Sequence, residues 1–142
     1  MKIFKPTTSQ GPSERFTGNV YPTIVFRGEK PSRVGMASVH FEPGARSAWH
    51  KHAVGQYIHV LEGTAYVQER GGKLYILKPG DTVYTEPDVE HWHGASPDSF
   101  MVHLVIMERP DDDSRDEITW LELVTDQEYN QKPQPLEHSD AA

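Results

Sequence analysis

The sequence predicts an all-β domain, an antiparallel sandwich or small barrel, on three observations. From Val34 onward it consists of about six short runs of β-branched and aromatic residues, separated by Gly, Pro and Asp at nearly regular spacing. No stretch of comparable length carries the 3.6-residue apolar period of an amphipathic helix. The 142 residues suffice for one domain with a substantial core and are too few for two of ordinary size.

Residues 1–33 are rich in Pro, Gly, Ser and Thr and read as an arm packed on the barrel, with one short extended piece near "YPTIVFRG". The barrel core spans residues 34–108. Its strands come from "GMASVHFEPG", "GQYIHVLEG", "TAYVQERGG", "KLYILKPG", "DTVYTEPD" and "SFMVHLVIMERP". In the last of these, alternation sets Met101, His103, Val105 and Met107 on the inner face and Phe100, Val102, Leu104 and Ile106 on the outer one. Residues 109–142 form a C-terminal extension. "RPDDDSRDE" reads as a solvated acidic loop, Thr125 or Asp126 can cap a short helical turn in "TDQEYNQ", and "QKPQPLEHSDAA" is expected to be disordered.

Only 36% of the residues are hydrophobic and the mean hydropathy is −0.65, yet 10% are aromatic and the apolar residues cluster, so the chain reads as a soluble globular protein rather than a disordered one. There is no run of about 18 apolar residues and no apolar signal-peptide core, which makes the cytoplasm the expected compartment. Fourteen basic against 21 acidic side chains give a net charge of −7 with no basic stripe, which argues against nucleic acid and anionic membranes as partners. With no cysteine, any metal must be held by nitrogen and oxygen.

The histidines point to such a metal. His50 and His52 are two apart, so on a strand both rings face the same way with Cα atoms roughly 7 Å apart. Gln56 keeps that parity if the strand continues. His91 and His93 repeat the two-residue spacing after a turn rich in Pro and Asp, and His103 lies in line with inward apolar neighbours. His40 and His59 have the opposite parity and are expected on the outer face. Neutral imidazoles suit Zn, Ni, Fe or Mn, and an added amide oxygen moves the balance toward Mn or Fe. Around them Ala37, Val39, Trp49, Val83, Met101, Val105 and Met107 would make an apolar chamber for a small organic molecule, with Trp49 equally suited to plain core.

These residues resemble the cupin family. "GARSAWHKHAVGQYIHVLEG" is similar to its first motif, with Gly44, His50, His52, Gln56 and Gly63 in place, and "GDTVYTEPDVEHWHGA" to its second, with Gly80, Asp81, Pro87 and His91. The resemblance implies a jelly-roll barrel in which His50, His52, Gln56 and His91 hold a divalent metal and His93 is a pocket residue beside it. Over most of the chain, "RFTGNV", "GMASVHFEPGARSAWHKH", "EHWHGASP", "HLVIMER" and "ITWLELVTDQEY" look like the single-domain cupins that include manganese-dependent hydroxynitrile lyases and carboxymuconolactone decarboxylase-associated cupins. In those lyases a glutamine replaces the cupin glutamate, as Gln56 does here, manganese is the metal, and the residue matching His103 is the acid–base group. The chain departs from them at Met107, where the lyases carry a polar residue.

The function these features imply is a lyase acting on a small molecule through a three-His, one-Gln Lewis-acid metal, as in cyanohydrin cleavage. Two alternatives use the same ligands, a cupin-type dioxygenase and a non-catalytic small-ligand-binding module. The outer apolar residues Phe100, Val102 and Leu104 suit either packing of the two sheets or a subunit contact, and a homodimer is expected.

Overall fold

The computed structural model describes residues 1–136, in which fourteen strands and one helical turn follow one another. They are β1 (Thr7–Thr8), β2 (Phe16–Thr17), β3 (Val20–Arg27), β4 (Val34–Phe41), β5 (Arg46–Ser47), β6 (His50–His52), β7 (Gln56–Gly63), β8 (Ala65–Glu69), β9 (Tyr75–Leu77), β10 (Thr82–Thr85), β11 (His91–Ala95), β12 (Met101–Glu108), β13 (Ile118–Trp120), α1 (Asp126–Tyr129) and β14 (Gln134–Pro135). One sheet has the order β1-β3-β4-β12-β7-β10. The second runs β13-β6-β11-β8-β9-β14, with β5 joining β11 to β2. All pairings are antiparallel except that of β14 with β9. This is the expected all-β architecture, and no helix among the described residues is long and apolar enough to cross a membrane.

Alternation places the core. Ala37, Val39 and Phe41 of β4, Ile58 and Val60 of β7, and Met101 and Val105 of β12 face Val67, Leu77 and Ala95 of the other sheet and form one buried cluster. On β12, His103 is fully buried in line with Met101 and Val105, while Val102, Leu104 and Ile106 are only partly covered. His40 and His59 sit outward, His40 stacked on Phe100 at 5.6 Å and His59 bonded through Nδ1 to the Thr82 hydroxyl at 2.8 Å.

The outer face of the second sheet has its own cover. Trp49, Tyr66, Leu74, Trp92, Val124 and Tyr129 form a second buried cluster. The cover is fixed by α1, which Thr125 caps by accepting the Glu128 N–H while the Glu128 carboxylate accepts the Thr125 N–H. Arg46, almost fully buried, clamps it by donating to the Val124 carbonyl at 3.0 Å and to Asp126 at 2.8 Å, with its guanidinium over the Tyr129 ring.

Two expectations about the chain ends need correction. The region read as an arm contributes β3, an eight-residue strand paired along β4 from Val20–Phe41 to Arg27–Gly35, with Val20 wholly buried. It is the extended piece expected near "YPTIVFRG", here a full strand of the sheet rather than part of an arm. In the tail, Gln134 and Pro135 pair with Tyr75 and Ile76, and Leu136 packs on the main core, so residues 131–136 are not structureless. The rest of that expectation falls on residues 137–142, outside the described ones.

Candidate metal centre

His50 and His52 point into the barrel from β6, and His91 and His93 from the adjacent β11, with His91 directly opposite His50. Gln56 arrives by a different route from the one its parity suggested. β6 belongs to the second sheet and β7 to the first, so the chain crosses between the sheets at residues 53–55. Gly55 makes the crossing with φ of +89°, where a Cβ would lie 2.8 Å from the Thr85 carbonyl. The amide therefore faces the histidines from the opposite wall.

His50, His91 and His93 each offer a nitrogen, and these atoms lie within 4.8 Å of one another, a group that could hold a divalent metal. This trio differs from the one implied by the cupin resemblance, since it contains His93 in place of His52. The His52 ring lies 5.1 Å from His50 and 5.5 Å from His91 between centroids, and neither of its buried nitrogens has a hydrogen-bond partner.

Hydrogen bonds fix which nitrogens carry lone pairs. The Nδ1 atoms of His50 and His91 lie 2.9 Å from the carbonyls of Ala48 and Val89. A carbonyl only accepts, so both Nδ1 atoms are protonated and both Nε2 atoms present lone pairs. The His91 Nε2 lies 2.9 Å from Gln56 Oε1, so two acceptors face each other, an arrangement that a cation between them relieves. Turning the amide end for end would relieve that pair alone and leave both His52 nitrogens and His93 Nε2 buried without partners. The donor set therefore fits a divalent ion.

Burial keeps the whole group neutral. Desolvation, helped by neighbouring histidines, holds His50 and His93 well below the usual imidazole range, and desolvation also lowers His91. It brings His52 down to about 3, with His91 adding to the effect and the Gln56 amide opposing it, and His103 down to about 4. Because the folded-state values are depressed, the unfolded chain takes up protons first, at about pH 6.5. The metal-free protein is thus expected to keep its stability above pH 6.5 and lose it progressively as pH falls from 6.5 toward about 4 and 3, where the loss from these groups levels off. Urea midpoints across that range check this, and a flat profile would contradict it.

The histidines open onto a cavity of about 250 Å³ lined by His50, His52, Gln56 and His93 and otherwise almost wholly by apolar groups. Ala37, Val39, Val105 and Met107 line it, as the alternation suggested. Trp49 does not, because it precedes His50 and points to the outer cluster, where Arg70 stacks on its ring at 4.1 Å. Met101 and Val83 pack in the main core away from the lining. His103 also lies behind the wall, with Nε2 2.8 Å from His93 Nδ1, so it reaches the cavity only through His93, whose Nε2 is free.

Sequence reasoning missed the residues that close the mouth: Arg15 and Phe16 from the arm, and Ile118 and Trp120 from β13. β13 pairs with β6, placing Trp120 opposite His50 and stacking the two rings at 4.8 Å. The apolar-polar-apolar alternation of "ITW" was the available signal.

Residues 37–107 match the family described as Cupin domain. The chain is 42% identical over 128 residues to the (R)-mandelonitrile lyase of Granulicella tundricola, covering 90% of this chain and 95% of that one. It is similar to the crystal structure of a cupin-like protein from Thermotoga maritima, at 40% identity, 91% and 95% coverage and a TM-score of 0.78. A cupin 2 conserved barrel domain protein from Rhodopseudomonas palustris shares the fold alone, at 16% identity, 87% and 80% coverage and a TM-score of 0.67.

Proposed function

The chain belongs to the cupin domain family, and on that premise we propose that it is a metal-dependent lyase that breaks or forms the carbon–carbon bond of a cyanohydrin or a related oxygenated carbon. The observation that carries this reading is the set of neutral, inward-facing donors His50, His52, Gln56 and His91, of which all but His91 line an apolar cavity together with His93. The reaction class is that named for the Granulicella tundricola relative.

His50, His52, Gln56 and His91 would hold the ion, manganese first on the nitrogen and oxygen donor set, with Fe, Zn or Ni also compatible. His52 is taken as the third histidine because it matches the cupin motif and both its nitrogens are buried without partners, which leaves the bare Nε2 of His93 for the substrate. When bound, the ion supplies a Lewis acid for a substrate oxygen.

The chain's own groups do the rest. Of the two tautomers that the 2.8 Å contact allows, the reaction uses the one in which His93 Nδ1–H donates to His103 Nε2, so that His93 presents a bare Nε2 to the cavity and can take the hydroxyl proton of a cyanohydrin. The bond to the nitrile carbon breaks, its electron pair leaves with cyanide, the carbonyl forms, and the proton held at His93 Nε2 passes to the cyanide. In this reading His103 fixes the tautomer and orientation of His93 and is a positioning residue. Ala37, Val39, Val105 and Met107 exclude water from the reacting end, and Met107 offers the departing cyanide no hydrogen bond.

We place this lyase in the cytoplasm as a homodimer. The dimer is supported by the exposed Tyr57, Leu61, Tyr84 and Phe100, which border the half-covered Leu104 and Ile106 on the outer face of the first sheet.

Mandelonitrile cleavage, followed by benzaldehyde absorbance alongside metal analysis and an oxygen electrode, tests the reaction. The expected result is aldehyde release that stops on chelation, with no oxygen consumed. Oxygen uptake with no aldehyde from mandelonitrile would point to a dioxygenase, and saturable binding with no turnover of any probe to a binding module.

A further inference from the structure

The chain carries seven arginines in an acidic background. Arg27, Arg33, Arg46, Arg70 and Arg115 each reach a carboxylate, and Arg109 donates to the Gly28 carbonyl at 2.6 Å. Arg15 is different. Among the described residues no carboxylate lies within ion-pair distance of it, and its guanidinium rests instead over the Trp120 ring at 5.2 Å from the centroid. It is also the one charged side chain in the lining of the apolar cavity.

Arg15 is an exposed residue whose main chain is tied down. The Arg15 N–H donates to the Pro12 carbonyl at 3.0 Å, and its own carbonyl accepts the Ala48 N–H at 2.8 Å, two residues before His50. Trp120 is in ring contact with both the guanidinium and, at 4.8 Å, His50. Cation and histidines thus line the same cavity, with Trp120 in contact with both. A guanidinium held there keeps its planar fork of donors available, and that fork matches a carboxylate.

We propose that Arg15 selects the charge of the substrate, pairing with a carboxylate at the far end of a short apolar molecule whose reacting oxygen lies at the histidines. The proposal rests on the lyase reading and narrows its substrate class to hydroxy or carbonyl compounds with a remote acidic group. A cavity of about 250 Å³ fits a body about the size of a single aromatic ring.

The test compares two probes, 4-(hydroxymethyl)benzoate and benzyl alcohol, which differ in the remote carboxylate, by calorimetric titration of the metal-loaded protein and its Arg15→Gln and Arg15→Lys variants. The wild type is expected to favour the benzoate by about tenfold, the scale of one partly exposed charge-assisted hydrogen bond. Arg15→Gln should erase that preference while leaving benzyl alcohol affinity unchanged, and Arg15→Lys should restore most of it. No preference in the wild type, binding of neither probe, or an unaltered preference in Arg15→Gln each overturns the proposal, the last by assigning the carboxylate to the histidine end. Mandelonitrile turnover on the same preparations separates the two readings, since turnover with no role for Arg15 removes this inference and leaves the lyase standing.

Discussion

His91→Ala is expected to leave the purified protein metal-free after dialysis and without turnover. His91 Nε2 is the lone pair that faces Gln56 Oε1 at 2.9 Å, and His91 stands opposite His50, so its removal takes away the donor at the centre of the group. The loss should exceed the roughly 10–100-fold in affinity typical of removing only a supporting hydrogen bond. His52→Ala is expected to strip the metal as well, and His59→Ala, on the outer face, to retain it. His93→Ala should keep the metal and lose turnover, since it removes the proposed proton acceptor and leaves the four proposed ligands in place. Metal content after dialysis decides between the sets. A metal-free His93→Ala with a loaded His52→Ala would assign the ion to His50, His91 and His93, the trio whose nitrogens lie within 4.8 Å. Thermal melts of each variant separate lost ligation from lost folding.

The parts of the site legible in the sequence are those governed by strand parity within one element. The spacing of His50 and His52, and of His91 and His93, sends both members of each pair inward, and the alternation of β12 buried His103 while leaving Leu104 and Ile106 partly covered. The same rule would have turned Trp49 outward, because it is one residue from His50. What parity could not supply was the route between sheets: Gln56 reaches the cavity through a left-handed turn at Gly55, and a strand continuing from His52 would have placed it on the wrong sheet. Nor could it supply partners distant in sequence. β13 closes the mouth by pairing with β6 across 68 residues or so of chain, and three residues of alternation are too few to announce that on their own. Parity sends His93 of β11 and His103 of β12 inward from opposite sheets, but only their 2.8 Å contact and the cavity lining show which of them reaches the substrate side.

Gln56→Glu isolates the one position where this chain departs from a carboxylate ligand, and it does so with almost no change of size. Gln56 is 3% exposed and faces neutral imidazoles, so in the native protein nothing at the centre cancels the charge of a divalent ion. A glutamate would cancel one unit. The variant is expected to hold its metal at least as tightly, since a carboxylate is the better ligand for a hard cation. It should bind anions more weakly and polarise a substrate oxygen less, because both depend on the uncancelled charge. One unit of charge at short range and intermediate effective dielectric is worth roughly 2–4 kcal/mol, so turnover and affinity for an acetate probe should both fall by about thirtyfold to about a thousandfold. Metal content, acetate titration and mandelonitrile turnover on matched preparations give the three readings. Equal values in all three would show that the amide is merely tolerated at this position, and a gain in turnover would mean that the chemistry needs a less electrophilic ion than the neutral donor set provides.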